Sequence, residues 1–167
     1  SPGFLEATME NWESEFLQMF AYVIFTVRLY QRGSAESKQP GRREEVDADP
    51  RFELITPATP WPVKRGGWVL RAYEHSLSAV LFLLFAISFA LHAIGGAADF
   101  SEKQLQHGEA AVSALEYLGT SQFWFESLQN WQSEFLSIAL MVLLTVVLRE
   151  RGSPESKPVA APHFQPG

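Results

Sequence analysis

An all-α, multi-pass transmembrane protein is the fold class this 167-residue sequence predicts. Three observations carry the prediction. Apolar residues are clumped into three long runs, basic and acidic segments alternate between those runs, and one stretch of the chain occurs twice.

The first run is Phe16 to Tyr30, FLQMFAYVIFTVRLY, which reaches back to Trp12 through Glu15. It predicts a span over about 12–30, with Arg28 extending its long side chain to the inner surface. Residues 39–63 are rich in charge, and Pro40, Pro50, Pro57, Pro60 and Pro62 prevent a continuous helix. This stretch is expected to be a cytoplasmic linker, with Trp61 to Trp68 at the inner membrane interface.

The second run, Leu77 to Ile94, is 18 residues long with no charge. At about 1.5 Å rise per residue it crosses a hydrocarbon core. A surface helix in water shows a polar face every three to four residues, whereas this run has only Ser78, Ser88 and His92. A span over about 74–95 is predicted, ended by the Gly95-Gly96 pair. An outer loop, 97–130, follows. Ser101-x-x-Gln104 and Ser113-x-x-Glu116 are capping-box patterns, predicting short helices over 101–107 and 113–118 closed by Gly108 and Gly119. A long helix is expected from Ser121 to about Arg151, closed by Gly152, with the third span over about 131–149. The proline-rich tail, 158–167, is expected to be disordered.

Charge sets the predicted orientation. Of the 13 Lys+Arg, all but Lys103 lie at the end of the first span, in the linker up to Arg71, or at the C-terminal end. Basic residues are retained on the cytoplasmic side. The N-terminal stretch, with Glu6, Glu10 and Glu13, therefore faces outward, as does 97–133, with Asp99, Glu102, Glu109, Glu116 and Glu126. The C-terminus is cytoplasmic.

Residues 4–38 align without gaps to 123–157, with 17 of 35 positions identical. Chance would give about two, so the chain carries an internal duplication. The second unit, 64–157, has a span and an outer loop ahead of the matched stretch, while 1–38 has only the matched stretch. About 55 residues are therefore expected to precede Ser1 in the intact protein, giving four spans in two tandem two-helix repeats of parallel orientation. The pairing of N-W-x-S-E-F-L with R-G-S-x-E-S-K, twice and separated by P-W-P-V-x-R-G-G-W, resembles a family of small bacterial membrane proteins of unknown function. The resemblance implies a duplicated four-helix protein of the inner membrane. It implies no activity.

Candidate site residues come from the duplicated positions: Asn11 and Asn130, Trp12 and Trp131, Ser14 and Ser133, Glu15 and Glu134. Two readings are open. Glu15 and Glu134 could flank an outward cavity and bind a cation or relay protons. More simply, they are interfacial carboxylates whose Asn, Trp and Ser neighbours fix the start of each span. RGSAESK and RGSPESK read either as matched docking or headgroup sites or, preferably, as helix ends with interface anchors.

The chain has no cysteine, which excludes disulfides, thiolate metal sites and cysteine nucleophiles. A net charge of −6 argues against nucleic acid as a partner. There is no H-E-x-x-H, nucleophile elbow, phosphate loop or aspartate pair. His75 and His92, about 100° apart around one helix, do not suit a stacked haem pair and are expected at opposite membrane surfaces. His107 and His163 have no ligand-like spacing. No catalytic residue, cofactor or metal site is expected. The sequence favours a non-enzymatic membrane component in contact with the lipid bilayer, presenting its outer loops or its linker to a protein partner or a second copy. The alternative is a small transporter or channel using Glu15 and Glu134.

Overall fold

A computed structural model describes residues 2–166. Among the described residues every regular element is helical: α1 (Pro2–Arg28), α2 (Trp61–Arg65), α3 (Gly67–Glu74), α4 (Ser76–Gln106), α5 (Ala114–Leu118) and α6 (Ser121–Val147), with a single 3-10 turn at Glu45–Asp47 in the linker. Two of them, α4 and α6, are long and apolar enough to cross a membrane. Beside a small apolar core of Ala93, Ala97, Tyr117 and Phe123, large apolar side chains lie outward and several polar ones lie inside. Leu77, Leu83 and Ile87 on α4 and Leu136, Leu140 and Leu143 on α6 are exposed, while Glu13, Ser14, Ser88, His92 and Ser127 are buried.

α4 corrects two expectations. Gly95 and Gly96 do not end the helix, which runs through them to Gln106, just ahead of Gly108 at φ 78°. Nor does Ser101 cap a separate helix. It lies inside α4, where its hydroxyl accepts from Val112 N–H at 2.9 Å and donates to Val112 O at 3.1 Å, pinning the loop. The second capping box forms as expected: Ser113 Oγ accepts from Glu116 N–H at 3.3 Å, and the Glu116 carboxylate accepts from Ser113 N–H at 2.7 Å. α6 starts at Ser121 and ends at Val147, one turn short of the expected limit.

The duplicated stretches form matching structure. α1 and α6 are each 27 residues long, and their limits differ by the offset of the alignment. Thr26 Oγ1 donates to Val23 O, and Thr145 Oγ1 to Val142 O. Ser37 Oγ accepts from Gln31 N–H, and Ser156 Oγ from Glu150 N–H. Gly33 and Gly152 take φ of 86° and 88°, a left-handed conformation open to glycine at little cost. Each RGSxESK is thus a compact helix-end turn built from its own serines.

The described residues divide into two compact units. One holds the chain up to Tyr22 together with Val80–Ser137; the other holds Val23–Ala79 and the chain from Ile138 onward. In the first unit α1 runs antiparallel to α4, as shown by the approach of Glu6 to Gly95, Glu13 to His92 and Phe20 to Phe82. α4 is likewise antiparallel to α6, through Phe89 with Phe123 and Phe85 with Trp131. α1 and α6 run parallel, joined by Gln18 Nε2 donating to Glu134 O at 2.9 Å. Small residues permit this closeness: a Cβ on Gly95 would stand 3.0 Å from Glu6 N.

In the second unit the buried Lys157 ammonium donates to the carbonyls of Gly33, His163 at 3.0 Å and Gln165 at 2.9 Å. Carbonyls of the C-terminal tail thus surround this cation. Burial holds the Lys157 amine below its ordinary range.

Candidate functional site

Ionisable and polar side chains gather where α1, α4, α5 and α6 meet in the first unit. Glu6, Glu10 and Glu13 stand at i, i+4 and i+7 of α1, one face of a helix. His92 lies on the small-residue face of α4, with Ala93, Gly95, Gly96 and Ala97. Glu126 and Asn130 stand one turn apart on α6, and Tyr117 comes from α5.

At the centre is a fully buried pair. His92 and Glu13 are each 0% exposed, and His92 Nδ1 lies 2.8 Å from Glu13 Oε2. Glu13 Oε1 accepts from Trp131 Nε1–H at 3.0 Å. A buried carboxylate demands such partners, since an uncompensated charge there costs several kcal/mol, in the range of about 3–5. Phe123, also 0% exposed, stacks on the imidazole with ring centres 4.7 Å apart. The other ring nitrogen, His92 Nε2, has no hydrogen-bond partner and lies 3.6 Å from Glu126 Oε2.

Around the pair sits a second tier of carboxylates. Tyr117 Oη donates to Glu126 Oε2 at 2.5 Å and lies 3.3 Å from Glu6 Oε1. Asn130 Nδ2 donates to the Glu10 carboxylate, and Gln122 Nε2 to Glu126 Oε1. Burial, with Glu126 and Asp99 nearby, holds the Glu6 carboxyl above the ordinary carboxylate range, and burial raises the Tyr117 phenol as well. A cavity of about 250 Å³ opens onto Glu6, Tyr117 and Glu126, with Asp99, Lys103 and His107 at its wall.

Glu10 gives a pH signature. Burial raises its carboxyl above the usual range; His92 and the Asn130 bond pull it down, and Glu126 pushes it up. A carboxyl raised in the fold adds stability that is present below its unfolded pKa and lost as pH rises through the folded value. Glu10→Gln, which stays neutral, is therefore expected to melt a few degrees above the parent at about pH 8 and close to it at about pH 4. A lower melting temperature for the variant at the higher pH would show that the fold prefers the ionised carboxylate.

Of the sequence-predicted residues, the structure brings Asn130 and Trp131 into the cluster and leaves their counterparts out. Asn11 Nδ2 donates to Ala7 O at 2.7 Å, and Trp12 is 49% exposed, packing its edge on Phe16. Ser14 and Ser133 donate to the carbonyls of Asn11 and Asn130 on their own helices. Glu15 is exposed and Glu134 half-buried, and neither belongs to the cluster. His92 is enclosed by helix packing rather than open to solvent. Missed by the duplication argument were Glu6, Glu10, Glu13 and Glu126, whose counterparts are Phe125, Gln129, Gln132 and Ala7. Identity between the units marks the shared helix ends, while the cluster is built where the units diverge.

The model of a family described as Domain of unknown function (DUF6766) matches residues 1–167, so the chain belongs to that family. No curated relative and no solved structure matches it.

Proposed function

We propose that this member of the DUF6766 family is a non-enzymatic, multi-pass component of the inner membrane whose working end is the outward-facing carboxylate–histidine cluster. The observation that carries the reading is the burial pattern, with apolar side chains outward on α4 and α6 and Glu13 with His92 inside. Leucine-covered helices are stable in lipid and form an association surface in water. α1 serves as a third span in this reading, with Glu13 satisfied by His92 and Trp131 rather than by solvent. The basic linker and C-terminal end lie in the cytoplasm, and the largely helical segment 97–130 lies outside. Parallel α1 and α6, with α4 antiparallel, fit two sequence repeats related by an axis along the membrane normal.

Binding fits the cluster better than turnover. Its cavity, about 250 Å³, is below the roughly 300–1,000 Å³ of pockets that enclose drug-sized ligands. Carboxylates, an imidazole and a phenol suit an ion. In this reading the site lies on the outer side, because the basic segments are retained in the cytoplasm.

Single cysteines at Lys103 and Arg51 test the topology, since both side chains are more than half exposed and the chain has no cysteine of its own. A membrane-impermeant thiol reagent added to intact cells is expected to label position 103 and to reach position 51 only after lysis. Labelling of 51 with sparing of 103 would reverse the orientation, and equal labelling of both in intact cells would remove the spanning arrangement.

A further inference from the structure

We propose that Glu6, His92 and Glu126 form a binding site for a divalent transition-metal ion of the zinc class. One ligand atom from each, the imidazole nitrogen and two carboxylate oxygens, all lie within 4.8 Å of one another. Burial alone would not make this a site, and an acidic cluster alone would not either. The unpartnered nitrogen decides it. His92 is 0% exposed, and its Nε2 faces the carboxylates with no hydrogen bond.

The tautomer follows from the other side of the ring. Nδ1, at 2.8 Å from Glu13 Oε2, donates its proton to that carboxylate. In the neutral ring Nε2 then carries a lone pair, aimed at Glu126 Oε2 3.6 Å away. Two acceptors that face each other inside a protein need a cation between them. A proton on Nε2 would give a long ion pair with Glu126 at 3.6 Å but does not bridge the gap by a hydrogen bond, and Glu126 Oε2 already accepts from Tyr117. A metal ion does. With metal–nitrogen and metal–oxygen bonds of about 2.0–2.2 Å, two ligands on a tetrahedral edge stand roughly 3.3–3.5 Å apart.

The surrounding groups fit the same chemistry. A histidine that ligates a metal commonly gives its other N–H to a carboxylate, which fixes the ring and raises its basicity. Glu13 holds that place, and Trp131 holds Glu13. Tyr117 orients Glu126. One imidazole with two carboxylates suits zinc and its first-row neighbours, whereas magnesium prefers oxygen ligands and water. The cavity beside Glu6 and Glu126 is the way in. This inference rests on the reading that the cluster is the working end, and not on the orientation of the spans.

The test is calorimetric titration of Zn²⁺ into chelator-stripped, detergent-solubilised full-length protein, with melting curves to show that each variant is folded. The parent is expected to bind Zn²⁺ saturably at about one ion per chain, and Mg²⁺ at the same concentration should give no saturable heat. Glu126→Gln and His92→Gln should each weaken binding at least about 100-fold, Glu13→Gln about 10–100-fold, and Glu15→Gln not at all. Should His92→Gln melt early, Glu126→Gln at the cavity wall still decides, because its side chain is not part of the buried pair. Absence of saturable Zn²⁺ binding by the folded parent would overturn the site, as would unchanged affinity in Glu126→Gln or equal binding of Mg²⁺. None of these results alters the cysteine-labelling pattern, so the two readings fail separately.

Discussion

Glu13→Ala is expected to lower the unfolding free energy of the solubilised protein by about 3–5 kcal/mol, the cost of removing one partner from a buried, hydrogen-bonded ionisable pair. Glu13 and His92 are both fully buried, so no water replaces the lost carboxylate. Its two oxygens serve two donors on two other helices, His92 on α4 at 2.8 Å and Trp131 on α6 at 3.0 Å. Alanine leaves both donors without an acceptor and opens a hole among α1, α4 and α6. Glu13→Gln keeps one acceptor oxygen and should lose less. Glu15→Ala, two residues along the same helix but exposed, should stay within about 0.5 kcal/mol of the parent. Denaturant or thermal unfolding of the three variants in one detergent checks the order. Equal losses for Glu13→Ala and Glu15→Ala would mean that burial at position 13 has no energetic content.

The second large effect is expected at Gly96. A Cβ there would lie 2.3 Å from Tyr117 Cε1, 2.8 Å from Cζ and 2.9 Å from Oη. The ring cannot yield cheaply. Tyr117 is 0% exposed, packs against Phe100 and Phe123, and holds Glu126 through its hydroxyl. Overpacking of this kind costs typically about 1–3 kcal/mol, and with a rigid ring on one side and the α4 backbone on the other the upper part of that range is expected for Gly96→Ala. The variant should also release the Tyr117–Glu126 bond, visible as a shift in tyrosine absorption. A rescue experiment isolates the cause. Tyr117→Ala should cost clearly less in the Gly96→Ala background than in the parent, because the two side chains compete for one space. Additive losses would place the damage elsewhere on α4.

The sequence was informative about elements and less so about the site, for physical reasons visible residue by residue. Apolar runs locate α4 and α6 because both are long and apolar enough to cross a membrane, a signal carried by length and composition alone. The Ser113–Glu116 capping box located α5 because a cap is made within four residues. Gly95 and Gly96 were misread because a glycine pair ends a helix or lets another chain approach, and only the partners, Glu6 and Tyr117, tell which. Ser101 was misread for the same reason: its hydroxyl meets Val112, eleven residues on. The duplication pointed to Glu15 and Glu134, since both units share them. Shared residues are the ones that make a helix start or stop in either unit, whereas Glu13, Glu10 and Glu6 meet α4 and α6 from one unit alone. Their i, i+4, i+7 spacing on α1, together with a lone histidine inside an otherwise apolar run, was the legible trace of the cluster.

The central claim is that Glu13 and His92 act as one buried pair between α1 and α4. A double-mutant cycle with Glu13→Gln, His92→Gln and both together, read by unfolding in detergent, measures that most directly. A coupling of about 1.5–3 kcal/mol is predicted, the range for a hydrogen bond to a charged group. Additivity within about 0.3–0.5 kcal/mol, the behaviour of independent sites, would contradict it.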